Sequence, residues 1–523
     1  MQNLATKNQF IYSDRKNTEY KSEEVINIYI PPNMAMVNPK EVFMVFDIKL
    51  SSSQYKGCLC PSAGAYSLFR NIQIMDGTGS TVLETLDSYA VLQALKYHME
   101  KLDSTENLYA LHEGKPNKNV LNQNDSSLNQ YCDATKAEDY YTTVKVTLPL
   151  YCSGLLNPNR KYLTPGLALR GLRIQLELNN FLDMFQATQA PLYEYVANNP
   201  IPNQLTGEYG GYSALEAYRL HADANAGATQ ITLMKYGDFA FANEKAVLSD
   251  DRTNPAHLFC VGQKVKVSNI ADEMTISNVT VNGDNRIVLT VSNALGVAVN
   301  AGDEVYISTY SNDGDVAISN FALNVGTVDP PQDYLNDILK LSQSGKLQFD
   351  ITSYSLFNKN ISAGSLSNSL VINATNTRAK SLICIPVMSK RDILIDTFQS
   401  VAMGTSHNNE LQSYSLKLYN NVIVPDRLVP LTPYNNGGFN AICQREQMLS
   451  AGACGWEVNN VQEMDQHFFI GRRLAMKGYS YNCQGQIELN VNYKQNSDPF
   501  VMACYVVHKR RIIVNDNNVS VVF

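Results

Sequence analysis

The sequence predicts an all-β protein of two similar tandem domains, with a third, smaller β segment inserted into the first. Three observations carry this. Short runs of β-branched and aromatic residues alternate with polar ones and are divided by Gly, Pro and Asn clusters. The order strand, helix, strand, strand occurs twice. The chain's 523 residues also exceed the ~250–300 at which single cores stop growing, so two or three domains are expected.

The strand signals, in order, are VINIYI (25–30), VFMVFDIKL (42–50), LFRNIQIMD (68–76), VKVTLPL (144–150), LRIQLEL (172–178), ISNFALNV (318–325), LQFDITSYSLF (347–357), SYSLKLY (413–419), QIELNVNY (486–493) and FVMACYVV (500–507). In LRIQLEL the apolar Leu172, Ile174, Leu176 and Leu178 share one face and Arg173, Gln175 and Glu177 the other, as in a half-buried strand. Helices are few. ETLDSYAVLQALKYHMEKL (84–102) puts Leu86, Ala90, Ala94 and Tyr97 on one face. PQDYLNDILKLSQSG (331–345) starts at Pro331, carries Leu335, Ile338 and Leu339 as its stripe and stops at Gly345. A weaker helical stretch surrounds 439–449.

The repeat aligns YSLFRNIQI (66–74), GLRIQLELN (171–179) and ISNFALNVGTV (318–328) with YSLKLYNNVIV (414–424), GQIELNVNY (485–493) and FVMACYVVHKRRIIV (500–514). Only KQNSDP (494–499) separates the last two strands of the second set, whereas the same gap in the first set runs from about 180 to 316. Within that gap, 217–310 reads as a small β-barrel or sandwich, with a hairpin at Asn282-Gly283-Asp284-Asn285. The Pro-, Gly- and Tyr-rich stretch 190–212 reads as a loop.

Composition narrows the function. Hydrophobic residues make up 44% of the chain, enough for real cores, but charged residues only 17%, below the usual ~25%. The polarity comes from Asn, Gln, Ser, Thr and 30 Tyr, which lose less on partial desolvation than charges do and suit large contacts between subunits. A formal charge of −7 disfavours tight, sequence-specific nucleic-acid binding, which gains affinity by neutralising phosphates. No uninterrupted apolar stretch approaches the ~18 residues of a membrane span. The N-terminal residues are polar and lack the apolar core of a secretion signal, so the ten scattered Cys are expected to be reduced thiols.

No catalytic, cofactor-binding or metal-binding residue is assigned. His98, His112, His221, His257, His407, His467 and His508 show no ligand spacing. Cys58 and Cys60 have no second pair at zinc-site spacing. Asp76-Gly77-Thr78-Gly79 lacks the Lys-Ser/Thr of a phosphate loop and reads as a tight turn. The basic clusters Gly471-Arg472-Arg473 and His508-Lys509-Arg510-Arg511 suit solvated strand ends or inter-subunit ion pairs better than an anionic ligand. Sequons at Asn124, Asn278, Asn360, Asn373 and Asn518 fit an Asn-, Ser- and Thr-rich composition. No cofactor is expected.

The ordered pattern resembles the double jelly-roll major capsid proteins of the adenovirus-like viral lineage, nearest to those of Polinton-like viruses and virophages. The residues that carry the resemblance are Tyr66-Ser67-Leu68-Phe69-Arg70-Asn71-Ile72 with Asp87-Ser88-Tyr89, then Leu172-Arg173-Ile174-Gln175-Leu176-Glu177-Leu178, then Ile318-Ser319-Asn320-Phe321 leading to Val328-Asp329-Pro330-Pro331 and Tyr334. It covers about 20–185 and 316–523 and fails over the inserted segment. The resemblance implies two eight-stranded jelly rolls, one from 23–190 and 316–331 and the other from 346–523, with 217–310 inserted as a small β domain and 1–22 as an N-terminal arm ordered only against a neighbour. It also implies a non-enzymatic subunit of a homotrimer within an icosahedral virion, assembled inside the host cell. The implied partners are itself, neighbouring trimers, penton proteins and minor capsid proteins, with membrane contact left open. The rival reading is a carbohydrate-binding or carbohydrate-active β-sandwich.

Overall fold

The computed structural model describes residues 6–15, 18–51, 57–59, 64–99, 144–180, 185–187, 218–233, 264–267, 274–284, 286–309, 315–362, 364–374, 378–388, 411–418, 421–428, 470–474, 485–493, 500–515 and 518–522. The expected helical stretch at 439–449 and the loop at 190–212 lie outside them.

The chain opens with β1 (Thr6–Tyr12), β2 (Val25–Ile30), β3 (Met36–Ser51), β4 (Gly57–Leu59), β5 (Phe69–Asp76), β6 (Val82–Leu86) and helix α1 (Tyr89–Met99). β7 (Val144–Pro149), β8 (Leu172–Leu178) and β9 (Phe185–Ala187) follow, β9 pairing with β4. Next come β10 (Tyr218–Arg219), β11 (Gln230–Thr232), β12 (Lys264–Val267), β13 (Met274–Val281), β14 (Ile287–Val291) and β15 (Glu304–Thr309). The long β16 (Asp315–Val328) leads to helix α2 (Gln332–Gln343). The second half comprises β17 (Leu347–Ile361), β18 (Ser367–Ala374), β19 (Ala379–Met388), β20 (Leu411–Leu418), β21 (Asn421–Leu428), β22 (Ile470–Arg473), β23 (Gly485–Tyr493), β24 (Phe500–Asn515) and β25 (Asn518–Val522).

The first half forms two sheets in the orders β1-β16-β3-β7 and β2-β8-β5-β6, the second two in the orders β17-β24-β19-β22 and β18-β23-β20-β21. Ranked along the chain, with β4, β9 to β15 and the added β25 (which pairs with β24) set aside, the strands of each half follow one scheme: first, eighth, third and sixth in one sheet, second, seventh, fourth and fifth in the other. This is the wiring of an eight-stranded jelly roll. The sequence repeat follows it: 66–74 and 414–424 overlap the fourth strands, 171–179 and 485–493 the seventh, and 318–328 and 500–514 the eighth.

The first jelly roll closes on three aromatic rings. Phe46 of β3 stacks on Phe321 of β16 at 5.2 Å and meets Phe69 of β5 edge-on at 5.8 Å, so the cluster bridges both sheets. Alternation puts Val42, Met44, Phe46 and Ile48 on the buried side of β3.

Two expectations need correction. The segment 1–22 is not wholly an unpaired arm, because Thr6–Tyr12 pairs with Ala322–Val328 along its full length as the first strand of the jelly roll. Its middle residues face solvent as an edge strand, so the sequence lacks the apolar alternation that would have marked it. Helix α1 starts at Tyr89 rather than at 84. Glu84 to Leu86 belong to β6, and Ser88, at φ 48°, breaks the extended chain before the helix. Helix α2 keeps its expected limits between Pro331 and Gly345, whose φ of 66° suits glycine. Its Ile338 packs with Met36, Ala168 and Val328 of the first half.

The six strands β10 to β15 form one sheet in the order β10-β15-β12-β13-β14-β11. A bridge between Leu220 and Leu233 joins its two ends, closing a small barrel. Its core includes Ile231, Val265, Ile276, Leu289 and Val305.

Replacing Phe46 by Ala should remove the ring that touches both sheets. An unfolding free energy lower by about 3–5 kcal/mol is expected, read from denaturant titration of the purified chain.

Candidate functional site

The chemistry weighed in the sequence does not converge on one site. Among the described residues no group of three or more His, Cys, Asp and Glu side chains is placed to hold a metal ion. His112, His257, His407 and His467 lie outside the described residues, as do Cys60 and Asn124, while His98 lies on α1 and Cys58 on β4. His221 helps close the barrel, its backbone N–H donating to Thr232 O at 2.8 Å. Asp76 to Thr81 is a tight turn: Gly79 N donates to Asp76 O, and Thr81 N donates to Asp76 Oδ1 at 2.8 Å. Asn278, Asn360, Asn373 and Asn518 stand exposed on strands.

The polar side chains that are brought together lie instead at the seam between the two jelly rolls. Strand β24 explains why the seam exists. Its Met502, Cys504 and Val506 enter the second jelly roll's core with Leu382 and Cys384 of β19. The intervening Ala503, Tyr505 and Val507 face the other way. Together with Ile351, Ile383 and Ile385 they join Leu83, Leu86 and Leu155 in a core continuous with that of the first jelly roll. The middle strands β24 and β19 of the sheet β17-β24-β19-β22 are therefore buried on both faces over these residues, which an apolar run without alternation allows.

The halves meet closely at Gly154. A Cβ there would stand 2.4 Å from Thr352 O and 2.8 Å from Ile351 Cβ, so only glycine fits. Three hydrogen bonds cross nearby. Thr81 Oγ1 donates to Val519 O at 3.0 Å, Tyr505 Oη to Ser88 O at 3.3 Å and Arg510 Nη1 to Leu83 O at 3.3 Å. The Arg160 guanidinium lies 5.5 Å from the Phe349 ring centre.

Glu84 of β6 is fully buried at this seam. It accepts hydrogen bonds from Ser153 Oγ at 2.8 Å and Gly154 N at 2.6 Å. Burial pushes its carboxyl up to about 7, against the pull of those two donors and of the Arg510 charge. Burial likewise raises Asp87, and it lowers Arg160 and Arg510, which Glu84 opposes.

The C-terminal basic cluster is divided by strand alternation. His508 and Arg510 point inward, both buried. His508 Nε2 lies 2.9 Å from Ser355 Oγ, and burial, aided by the Arg510 charge, lowers its pKa to about 4. Arg511 faces outward and donates to Asp350 at 2.8 and 3.3 Å, while Arg378 donates to the same carboxylate at 3.0 Å. These partners, Arg511 foremost, hold Asp350 below the usual carboxylate range. Lys509 gives its backbone N–H to Arg378 O. Gly471, Arg472 and Arg473 lie on β22 and pair with Ile383, Leu382 and Ser381. In the cluster 508–511, Arg511 is thus paired within its own chain, and Arg510 reaches the seam. Sequence reading missed Glu84, Ser153, Gly154 and Arg160. The available signals were a carboxylate inside an apolar strand, VLETL, and the unbroken run VMACYVV.

Two outcomes are expected. Gly154→Ala should lower stability by about 1–3 kcal/mol through overpacking, measured by denaturant unfolding. For Glu84, the folded chain keeps its proton up to about pH 7, whereas the unfolded chain loses it near 4.5. Stability therefore falls as pH rises between those values, by roughly 3 kcal/mol in all. His508 runs the other way, since stability is lost as pH falls from its ordinary 6.5 towards about 4. Glu84→Gln keeps acceptor and donor in place, so it should melt above the parent at pH 8. It should also uncover the His508 loss below pH 6.5. Identical profiles for the two proteins would refute the Glu84 assignment, and a variant that loses no stability below pH 6.5 would refute that of His508.

No protein-family model matches the chain, and no curated protein is significantly similar to it in sequence. Solved structures match it in shape. The major capsid protein of Faustovirus aligns with a TM-score of 0.50 at 8% identity, over 98% of this chain and 91% of that one. A quasi-atomic model of the PBCV-1 virus capsid gives 0.48 at 9% identity, over 100% and 98%. The cryo-EM structure of the Sputnik virophage gives 0.47 at 8%, over 99% and 88%. At such identities the likeness concerns the fold alone. The Faustovirus match carries it and agrees with the strand order observed twice: this chain has a double jelly-roll fold.

Proposed function

We propose that the chain is a major capsid protein, a non-enzymatic structural subunit that forms homotrimers and tiles an icosahedral DNA-virus shell. The observation that carries this reading is the pair of identically wired jelly rolls sharing one core across their seam. Two similar domains held rigidly side by side give a trimer six near-equivalent sides from threefold symmetry. Pairing most strands within closed sandwiches leaves few edges for uncontrolled association. A surface poor in charge suits interfaces of ~2,000 Å² or more between copies. On this reading the chain works in the virion, and its partners are its own copies, neighbouring trimers, penton proteins and minor capsid proteins.

The domain division follows the same reading: a first jelly roll interrupted by 217–310, and a second from 346 onward. In support, the barrel's first and last strands, β10 and β15, pair with each other, so the chain enters and leaves it at neighbouring points. The barrel then decorates the capsomer without helping to hold it together.

Light scattering of the purified protein should give about three times 58.2 kDa, and negative-stain images should show six-sided particles. A chain with 217–310 replaced by a short linker should give the same trimer less the deleted mass. A monomer from the full chain would reject the capsid reading, and a full-chain trimer with an unfolded deletion variant would reject only the domain division.

A further inference from the structure

Two cysteines face each other in the sheet that both cores share. Cys384 of β19 and Cys504 of β24 are register partners in the antiparallel ladder. Both are fully buried thiols in the core formed with Leu382, Leu416, Leu489 and Val506. Directly opposed residues in such a ladder point to the same face, with Cα atoms about 4.5–5.5 Å apart, inside the ~4.4–6.8 Å that a disulfide spans. Cys504 Sγ lies 3.9 Å from the Met502 carbonyl oxygen, within the same buried core. Cys152, by contrast, lies in the other core, with its Sγ 3.5 Å from Gln93 Oε1.

We propose that Cys384 and Cys504 form a redox site that closes to a cross-strand disulfide by exchange with a small disulfide of the glutathione class, fastening β19 to β24. One cysteine gives up its proton, and its sulfur attacks the reagent's S–S bond, forming a mixed disulfide and releasing one small thiol. The second cysteine's sulfur, also deprotonated, then displaces the other small thiol. Two protein S–H bonds become one S–S bond, and the reagent's S–S bond becomes two S–H bonds, so two electrons pass from protein to reagent. Burial and the neighbouring sulfur push the Cys384 thiol well above its usual range, which leaves little thiolate in the closed sheet. The lock therefore sets while β24 is docking beside β19, or when the sheet opens, and resists reduction once the core has closed.

The test uses the full chain refolded with oxidised glutathione and, separately, with reductant. Free thiols are blocked with N-ethylmaleimide in denaturant, and the protein is digested without reduction for mass spectrometry. The oxidised sample should yield one linked peptide pair containing Cys384 and Cys504, and a melting temperature higher than the reduced sample by about 2 °C or more. Cys152→Ser should keep both results, and Cys504→Ser should lose both. The parent's own peptide map decides the matter should a serine variant fail to fold. Both thiols blocked in the oxidised, folded protein would overturn the proposal, as would Cys384 or Cys504 bonded elsewhere, or a linked pair with no gain in melting temperature.

Discussion

Strand β24 carries apolar side chains on both faces, and the arrangement of the two halves depends on that. An ordinary sandwich strand buries one face and shows the other to water, as β8 does with Arg173, Gln175 and Glu177. With Ala503, Tyr505 and Val507 on its second face, β24 needs a second cover. The first jelly roll supplies it through β6 and the loop that carries Gly154 and Leu155. Two jelly rolls joined only by α2 would be free to rock, because polar inter-domain contacts permit motion by default. A shared apolar core removes that freedom and makes the pair one block. The relative placement of the halves is then set by packing at residues such as Gly154, where no additional atom fits.

Burying Glu84, Arg160 and Arg510 in the same seam is not the cheapest way to stabilise it. Replacing buried ions by well-packed apolar groups is often neutral or favourable, whereas removing a single partner is strongly destabilising. Their value here is positional. Glu84 meets the Gly154 N–H and the Ser153 hydroxyl, and Arg510 meets the Leu83 carbonyl, groups that burial would otherwise leave unsatisfied. A slip of β24 by one residue would put Lys509 or Arg511 where Arg510 now meets the Leu83 carbonyl. The polar set therefore fixes the register in which the apolar faces meet.

The order of elements was legible in the sequence because strand periodicity is local. VINIYI and LRIQLEL became strands with the limits read from them, and Pro331 and Gly345 bounded α2 as expected. The repeat was legible because matched strands occupy matched positions in the topology. The first strand, Thr6–Tyr12, was not, because an edge strand facing solvent has no apolar alternation to read. The seam was half legible. VMACYVV lacks alternation, which signals burial on both faces, but a sequence does not say what covers the second face. The basic cluster at 508–511 misled for a related reason. Charge counts as a surface signal until alternation sends His508 and Arg510 inward and leaves Lys509 and Arg511 outside.

Low charge content acquires a structural meaning on the outer face of the sheet β18-β23-β20-β21. There Asn492 bonds to both Ser367 and Ser413, and Asn490 to Glu488 and Ser415. Glu488 also accepts from Ser369 and, at 3.5 Å, from Lys417. Partners within the same face already meet much of the hydrogen-bonding need of these side chains. Such a face gives up less to water when a second surface covers it than a face of free charges would. Its side chains are also held in position, because Asn490, Asn492 and Glu488 are tied to neighbours across the strands. A protein whose work is repeated contact with its own copies gains from surfaces that are cheap to desolvate and fixed in shape. The alternation in QIELNVNY therefore serves two ends at once: Ile487, Leu489 and Val491 build the core, while Gln486, Glu488, Asn490 and Asn492 face outward along the same strand.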